Sequence, residues 1–169
     1  ERPWEEESWT ARKPWSELNA DYEGWHPMVR APIEAADKDQ CFRWALNNRQ
    51  PVMTWCTQRV ALLGDAVHAT LPYMAQGAAM AIEDAAILSR ALALDVPLGE
   101  RLGIYESHRA PRAARVVTES TEMGELYHIA DASQMKQAFK DRNIAASRNN
   151  WLYPYNPWTV DIHRPYEGV

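Results

Sequence analysis

Apolar residues fall along this chain in short bursts that follow two different periods. From Ala75 to about Leu94, Met80, Ile82, Ile87, Leu88 and Leu92 recur at helical spacing, with alanines between them that permit close packing. Pro97-Leu98-Gly99 ends that element, and Glu100–His108, Pro111–Ile129 and Ser133–Ala146 read as three further helices, the first two parted at Pro111. Upstream, Trp15–Glu23 predicts a short helix with Ser16 near its start and Gly24 just past its end. Pro27–Ala36 predicts another, kinked or broken at Pro32. Strand patterns are shorter. Glu7–Ala11 could be a strand end, and Gln40–Leu46 alternates weakly, Cys41, Arg43 and Ala45 against Phe42, Trp44 and Leu46. Val60–Leu63 is continuously apolar, the pattern of a strand buried on both faces of a parallel sheet. Asn47–Thr57, with Pro51, reads as a connection between layers, and the aromatic, proline-rich tail WLYPYNPW as an ordered coil laid over the body. There are no internal repeats and no low-complexity segment.

The stretch LLGDAVHATLPYMAQG, Leu62 to Gly77, carries the chemistry. A strand ending in Gly64-Asp65 places a carboxylate at the carboxyl edge of a sheet, where open α/β folds bind ligands. Gly64 lets the backbone turn sharply, and Asp65 can accept hydrogen bonds from the vicinal hydroxyls of a polyol or ribose. Pro72 biases Leu71 away from helix and so predicts an extended approach. The helix opening near Ala75-Gln76-Gly77 presents unpaired N–H groups and the positive end of its dipole, which stabilise an anion. Gly77 leaves room for close approach. Together these features point to a polyol-bearing anionic ligand and, by themselves, to nothing narrower.

Composition removes several alternatives. The 169 residues suffice for one core, or for parts of two domains. With 23 acidic against 18 basic residues and no basic run longer than Arg12-Lys13, a phosphate-neutralising face is not expected, so nucleic acid is not a predicted partner. No stretch approaches the roughly 18 unbroken apolar residues of a membrane helix, and there is no signal-peptide pattern. Cys41 and Cys56, the only cysteines, read as small buried thiols of a reducing, cytoplasmic compartment. His26, His108, His128 and His163 are scattered without ligand spacing, so no metal site is predicted. Glu1 and the run WEEESWT, together with eight tryptophans, read as the interior of a longer chain.

Gly64-Asp65-Ala66-Val67-His68, then Pro72, Gln76-Gly77 and Ile82-Glu83-Asp84-Ala85, resembles the second flavin motif of the FAD-dependent aromatic hydroxylases. These are single-component flavoprotein monooxygenases that include the p-hydroxybenzoate and salicylate hydroxylases. The variant MAQGAAMAIEDA looks closest to the branch of salicylate, 3-hydroxybenzoate 6- and 6-hydroxynicotinate hydroxylases. Arg43-Trp44-Ala45-Leu46 upstream, Tyr105 to Arg109 with Pro111-Arg112-Ala113 downstream, and Trp151-Leu152-Tyr153 near the end extend the resemblance over most of residues 1–165. Met74 stands where many members have glycine and Ala79 where many have asparagine; the named branch shares both.

The resemblance implies an α/β piece: part of a Rossmann-like FAD-binding domain with the end of a substrate-binding β-sheet and a C-terminal helical region. Residues 1–57 would end the substrate-binding sheet region, 58–96 complete the FAD-binding domain, and 97–169 form the C-terminal helices and aromatic coil. It implies FAD as cofactor, with Gly64, Asp65, Pro72, Gln76, Gly77, Ala78 and Ala79 around it. Asp65 would hold a ribityl hydroxyl, and the Gln76–Ala79 helix start would face the N1–C2=O edge of the flavin ring. NADH or NADPH would be the reductant and a small phenolic or salicylate-like aromatic the substrate, with Tyr73 on the substrate side of the ring. The family's GxGxxG and middle DG motifs are not in this sequence. The chain is therefore expected to be the C-terminal 40% or so of such an enzyme. An N-terminal portion carrying GxGxxG, in the same or a separate chain, would be its partner, with a homodimer as a further option.

Each assignment has a plainer competitor. Asp65 could simply cap a turn, and Tyr73 could be a half-buried packing residue. His68 is assigned a structural role. Glu83 and Asp84 diverge by about 100° on a helix and are expected to bind arginines or backbone, not to form a carboxylate pair. No catalytic side chain is identified, and no serine lies in a GxSxG context. Two alternatives to the hydroxylase remain: a non-catalytic flavin-binding part of a split or truncated enzyme, and a related FAD epoxidase or other oxidoreductase.

Overall fold

The computed structural model describes residues 8–143 and 150–166, so Glu7 and the end of the expected Ser133–Ala146 helix lie outside it. The chain forms two compact units, Glu1–Leu46 and Asn47–Val169.

The first unit holds α1 (Trp15–Asp21), α2 (Pro27–Ala35) and one 3-10 turn, Lys38–Gln40. Pro27 sits in the first turn of α2, where its missing N–H has no partner to lose. The helix continues through Pro32 instead of breaking there. Its far end is held from outside, because the Trp15 indole N–H donates to the Ile33 carbonyl at 2.9 Å. The strand expected at Gln40–Leu46 is reduced to one antiparallel bridge, Arg12 with Phe42. Among the described residues of this unit no side chain is fully buried; Trp9 and Trp44 pack on each other with ring centroids 5.7 Å apart.

In the second unit the expected buried strand Val60–Leu63 is also corrected. Ala61 bridges Cys56, Leu62 N–H donates to the Trp55 carbonyl at 3.0 Å and Thr57 N–H to the Val60 carbonyl at 2.8 Å, which makes a single tight antiparallel pairing. Val60, Leu62 and Leu63 are 57%, 40% and 41% exposed. A doubly covered strand needs strand neighbours on both edges and helices on both faces; among the described residues there are only these two isolated bridges and no sheet.

Helices form the rest. After α3 (Asp65–His68) and a 3-10 turn at Pro72–Met74 come α4 (Gly77–Leu92), α5 (Leu98–Tyr127) and α6 (Ala132–Arg142). The buried stripe of α4 is Met80, Asp84, Ile87 and Ala91, at i, i+4, i+7 and i+11. Ile82, expected inside, is 69% exposed. The helices expected to part at Pro111 are one helix of 30 residues, about 45 Å long at 1.5 Å per residue. An interior proline costs about 3 kcal/mol. Here buried residues on both sides of it, Arg109 and Ala110 before, Arg112 and Ala113 after, are fixed by contacts that a break would separate. The tail lies over the helices as expected. Trp151, Leu152 and Ile162 are buried, Arg112 donates to the Trp151 and Leu152 carbonyls at 3.2 and 3.0 Å, and Arg90 to the carbonyls of Pro157 and Val160. Cys41 and Cys56 are free thiols, half-buried. Among the described residues no helix is long and apolar enough to cross a membrane.

Candidate flavin site

Gly64 makes the turn that opens the site. Its φ of +60° and ψ of −146° belong to a region that residues with a Cβ avoid. Asp65 follows as the first residue of α3, so the segment expected to be extended begins with one helical turn; the N–H groups of Val67 and His68 both donate to the Gly64 carbonyl at 3.0 Å.

That turn is locked to α4 through Asp84, whose side chain is fully buried. Asp84 Oδ2 accepts from the Gly64 N–H at 3.0 Å and from His68 Nε2 at 2.6 Å, and Oδ1 accepts from Arg109 Nε at 2.8 Å. Burial alone would raise the Asp84 carboxyl. The His68 hydrogen bond, the Arg109 charge and the Gly64 N–H outweigh it and hold the group below its ordinary 3.8. Glu83, the neighbour on α4, lies 2.8 Å from Arg109 Nη1 and takes a two-pronged contact from Arg112 Nε and Nη2, both at 2.8 Å. Both acids therefore bind arginines of α5, and neither forms a carboxylate pair. Burial would lower Arg109, but Glu83 and Asp84 raise it, so the guanidinium stays charged. His68 has the structural place expected of it.

Beyond α3 the chain is fastened to α5. Ser120 Oγ donates to the Leu71 carbonyl at 2.6 Å. The Tyr73 ring lies over Gly124, where an added Cβ would come within 2.6 Å of it, and beside Tyr127 and His128 at centroid distances of 5.8 and 6.0 Å. Ala75 then adopts a left-handed conformation, φ +54° and ψ +35°, and α4 begins two residues later. Such a conformation costs a non-glycine residue about 1–2 kcal/mol, and outliers of this kind gather at binding sites.

Between α3, this loop and the start of α4 runs a groove of about 590 Å³. Asp65, Pro72, Gly77 and Ala78, four of the residues assigned to the cofactor from the sequence, line it together with Thr70, Leu71, Ala75 and Ala81. Gly64 stands buried behind the turn. Gln76 is the N-cap residue of α4, and its amide donates to the Met74 carbonyl at 3.3 Å. Ala79 and Tyr73 are half-buried and do not line the groove. Ala81 was findable, being one helical turn beyond Gly77; nothing in an alanine announces the left-handed Ala75.

The groove has an exposed carboxylate at one side and, at the other, a first helical turn that no side chain caps. Its floor of Gly77, Ala78 and Ala81 is small enough for a flat ring to approach the backbone. A carboxylate accepts from hydroxyls, and free N–H groups with a helix dipole face negative charge. These residues fit the ribityl chain and the N1–C2=O edge of a flavin.

The chain belongs to the family described as the FAD binding domain, whose pattern matches residues 3–120. It is 42% identical over 129 residues to a 3-hydroxybenzoate 6-hydroxylase of Klebsiella oxytoca, covering 75% of this chain and 32% of that protein. It is 45% identical over 125 residues to a 6-hydroxynicotinate 3-monooxygenase of Bordetella bronchiseptica, covering 66% and 30%. A salicylate hydroxylase in complex with substrate superposes with a TM-score of 0.73 at 27% identity, over 92% of this chain and 39% of that one. The chain thus spans less than two-fifths of the length of these relatives, and it shares the flavoprotein hydroxylase fold.

Proposed function

We propose that this chain provides the flavin-ring part of the FAD site in a monooxygenase that hydroxylates a small phenolic or salicylate-like aromatic. One observation carries the reading: Asp65 and the uncapped start of α4 face a single groove and are held in register by the Asp84 carboxylate. When bound, FAD supplies the electrons taken from NADH or NADPH and the centre at which O2 reacts. Asp65 holds a ribityl hydroxyl. The N–H groups of Gly77 and Ala78, with the dipole of the helix behind them, stabilise negative charge on the ring edge, with Pro72 and Gln76 shaping the approach and Ala79 behind them. Tyr73 holds one side of the substrate while its ring remains on Gly124; no base in this chain is assigned to the substrate. The ADP half of FAD is held by a portion carrying GxGxxG. Sheet strands of the same enzyme cover Val60–Leu63, whose exposed apolar side chains suit that position. In that enzyme residues 1–57 belong to the substrate-binding part, 58–96 to the FAD domain and 97–169 to the helical end, in a cytoplasmic setting.

Co-production with a GxGxxG-bearing portion of a related hydroxylase tests this. The complex should be yellow and should oxidise NADH or NADPH faster when a hydroxylated benzoate is added, with ring-hydroxylated product formed. A flavin-loaded complex whose oxidation rate no hydroxylated aromatic alters would refute the hydroxylase reading.

A further inference from the structure

Every exposed residue of α4 is small or apolar. Ala78, Ile82, Ala85, Ser89 and Leu92 follow one another at i, i+4, i+7, i+11 and i+14, a single face of the helix. Ile82 is 69% exposed and Leu92 41%. The charged side chains of α4 are all engaged elsewhere. Glu83 and Asp84 bind Arg109 and Arg112 of α5, and Arg90 donates to the Pro157 and Val160 carbonyls of the tail. A helix at the surface of a globular protein turns its charges outward, whereas one without a polar face is covered on all sides. In α4 the charges lie on the covered side, and the open side has only the Ser89 hydroxyl. The open face has the composition of an interior surface.

Two observations say what covers it. The face starts at Ala78, which also lines the groove at Asp65, so a body seated on it adjoins whatever the groove holds. The chain also shares the fold of relatives of whose length it spans between 30% and 39%, which leaves more than half of such an enzyme outside it. A second copy of this chain fits less well. From Ala78 to Leu92 the face is about 21 Å long at 1.5 Å per residue. One helix face of that length falls far short of the roughly 800 Å² per partner that a stable dimer buries. It suits a domain that makes further contacts of its own. The small side chains of Ala78, Ala85 and Ser89 let the backbone of that domain come close.

We propose that this outer face of α4 is the seat of the GxGxxG-bearing portion of the enzyme, which packs an apolar surface along Ala78, Ile82, Ala85, Ser89 and Leu92. The inference rests on the reading that such a portion completes the FAD site. It adds the place where the two portions join. The N-terminus of α4 then serves the flavin and its outer face the partner, so one helix carries both.

The test is thiol alkylation by iodoacetamide in the co-produced complex, read from the mass of this chain in a Cys41→Ser, Cys56→Ser background. Ile82→Cys reports on the proposed seat and Lys136→Cys on the exposed side of α6. In the folded complex the Ile82→Cys thiol should react about tenfold or more slowly than the Lys136→Cys thiol, and equally fast once denaturant unfolds both. A second variant, Ile82→Asp, puts a charge on the open face without touching the contacts of α4 with α5. It should cut recovery of the partner portion about tenfold or more. Equal alkylation in the folded complex, or undiminished recovery with Ile82→Asp, overturns the proposal. Protection that is lost when a larger assembly dilutes to one copy of each portion assigns the face to a second copy, which equally overturns it. A reactive Ile82→Cys thiol in a yellow complex that responds to hydroxylated aromatics refutes this docking alone. A protected thiol in a complex that no such aromatic stimulates supports the docking and refutes the hydroxylase. A wild-type chain that recovers no GxGxxG-bearing portion overturns both.

Discussion

At the scale of single residues, Asp84 decides the geometry of the groove at Asp65, although it does not line it. Its carboxylate takes hydrogen bonds from the Gly64 turn, from His68 and from Arg109, so three segments meet on two oxygen atoms. Asp84→Asn keeps the volume but leaves Arg109 with one acid fewer in a place closed to solvent. Breaking a buried pair in this way costs about 3–5 kcal/mol, and denaturant unfolding should show a loss of that order. Because the folded Asp84 value is lowered, its contribution is complete above the unfolded carboxylate value of 3.8 and is lost as pH falls through the lower folded value. The acid limb of the stability curve should therefore flatten in Asp84→Asn; an unchanged limb would show that another carboxylate governs it. That Glu83 and Asp84 would not form a carboxylate pair was legible from their divergence on a helix, which left arginines or backbone as their partners; Asp84 takes both. That Asp84 would sit in the apolar stripe was not, because a hydrophobic pattern assigns every charged position to the solvent face and Ile82 to the core. Only the partners, supplied 25 residues later by α5, reverse that order.

At the scale of elements, α5 is the platform on which the loops before α4 rest. Gly124 leaves the space that the Tyr73 ring fills. Gly124→Ala gains helix propensity of up to about 1 kcal/mol, but the Cβ overlap costs about 1–3 kcal/mol. We expect a net fall in thermal stability together with displacement of the Tyr73 ring; a raised melting temperature would mean that the ring yields freely. Glu106, one turn before Ala110, accepts from the backbone N–H groups of both Trp55 and Cys56 and fixes the segment leading to the exposed strand-like turn. Burial, followed by the Glu106 charge, pushes the Cys56 thiol up to about 11. In a Cys41→Ser background, Glu106→Ala should speed alkylation of Cys56 at mildly alkaline pH, since charge and cover are both removed; equal rates would contradict this assignment. The sequence pattern located α4, α6 and both short helices to within a few residues. It divided α5 at Pro111 because local propensity carries the proline penalty but no record of Arg109 and Arg112 anchoring the helix on either side. It placed a buried strand at Val60–Leu63 because an apolar run implies cover without saying which residues supply it.

At the scale of the whole molecule, the resemblance read from Gly64-Asp65 and MAQGAAMAIEDA agrees with the family to which the chain belongs and with the fold it shares. Composition and periodicity alone reached only a polyol-bearing anionic ligand. The groove brings together Asp65, Gly77 and Ala78 but holds nothing of GxGxxG type for a pyrophosphate. By itself the 169-residue chain should bind FAD weakly, with the exposed Val60, Leu62 and Leu63 favouring association of the free chains. Sedimentation of the isolated chain beside its complex with a GxGxxG-bearing portion compares the two states. A monodisperse isolated chain with micromolar FAD affinity would contradict this expectation. The central claim is that the groove at Asp65 is the flavin site, and the most direct measurement is FAD titration by flavin fluorescence in that complex, wild type against Asp65→Ala. Loss of one charge-assisted hydrogen bond to the ribityl chain predicts weakening by about 1–3 kcal/mol, with the protein fold intact by circular dichroism. Equal FAD affinity in the two proteins would contradict the account.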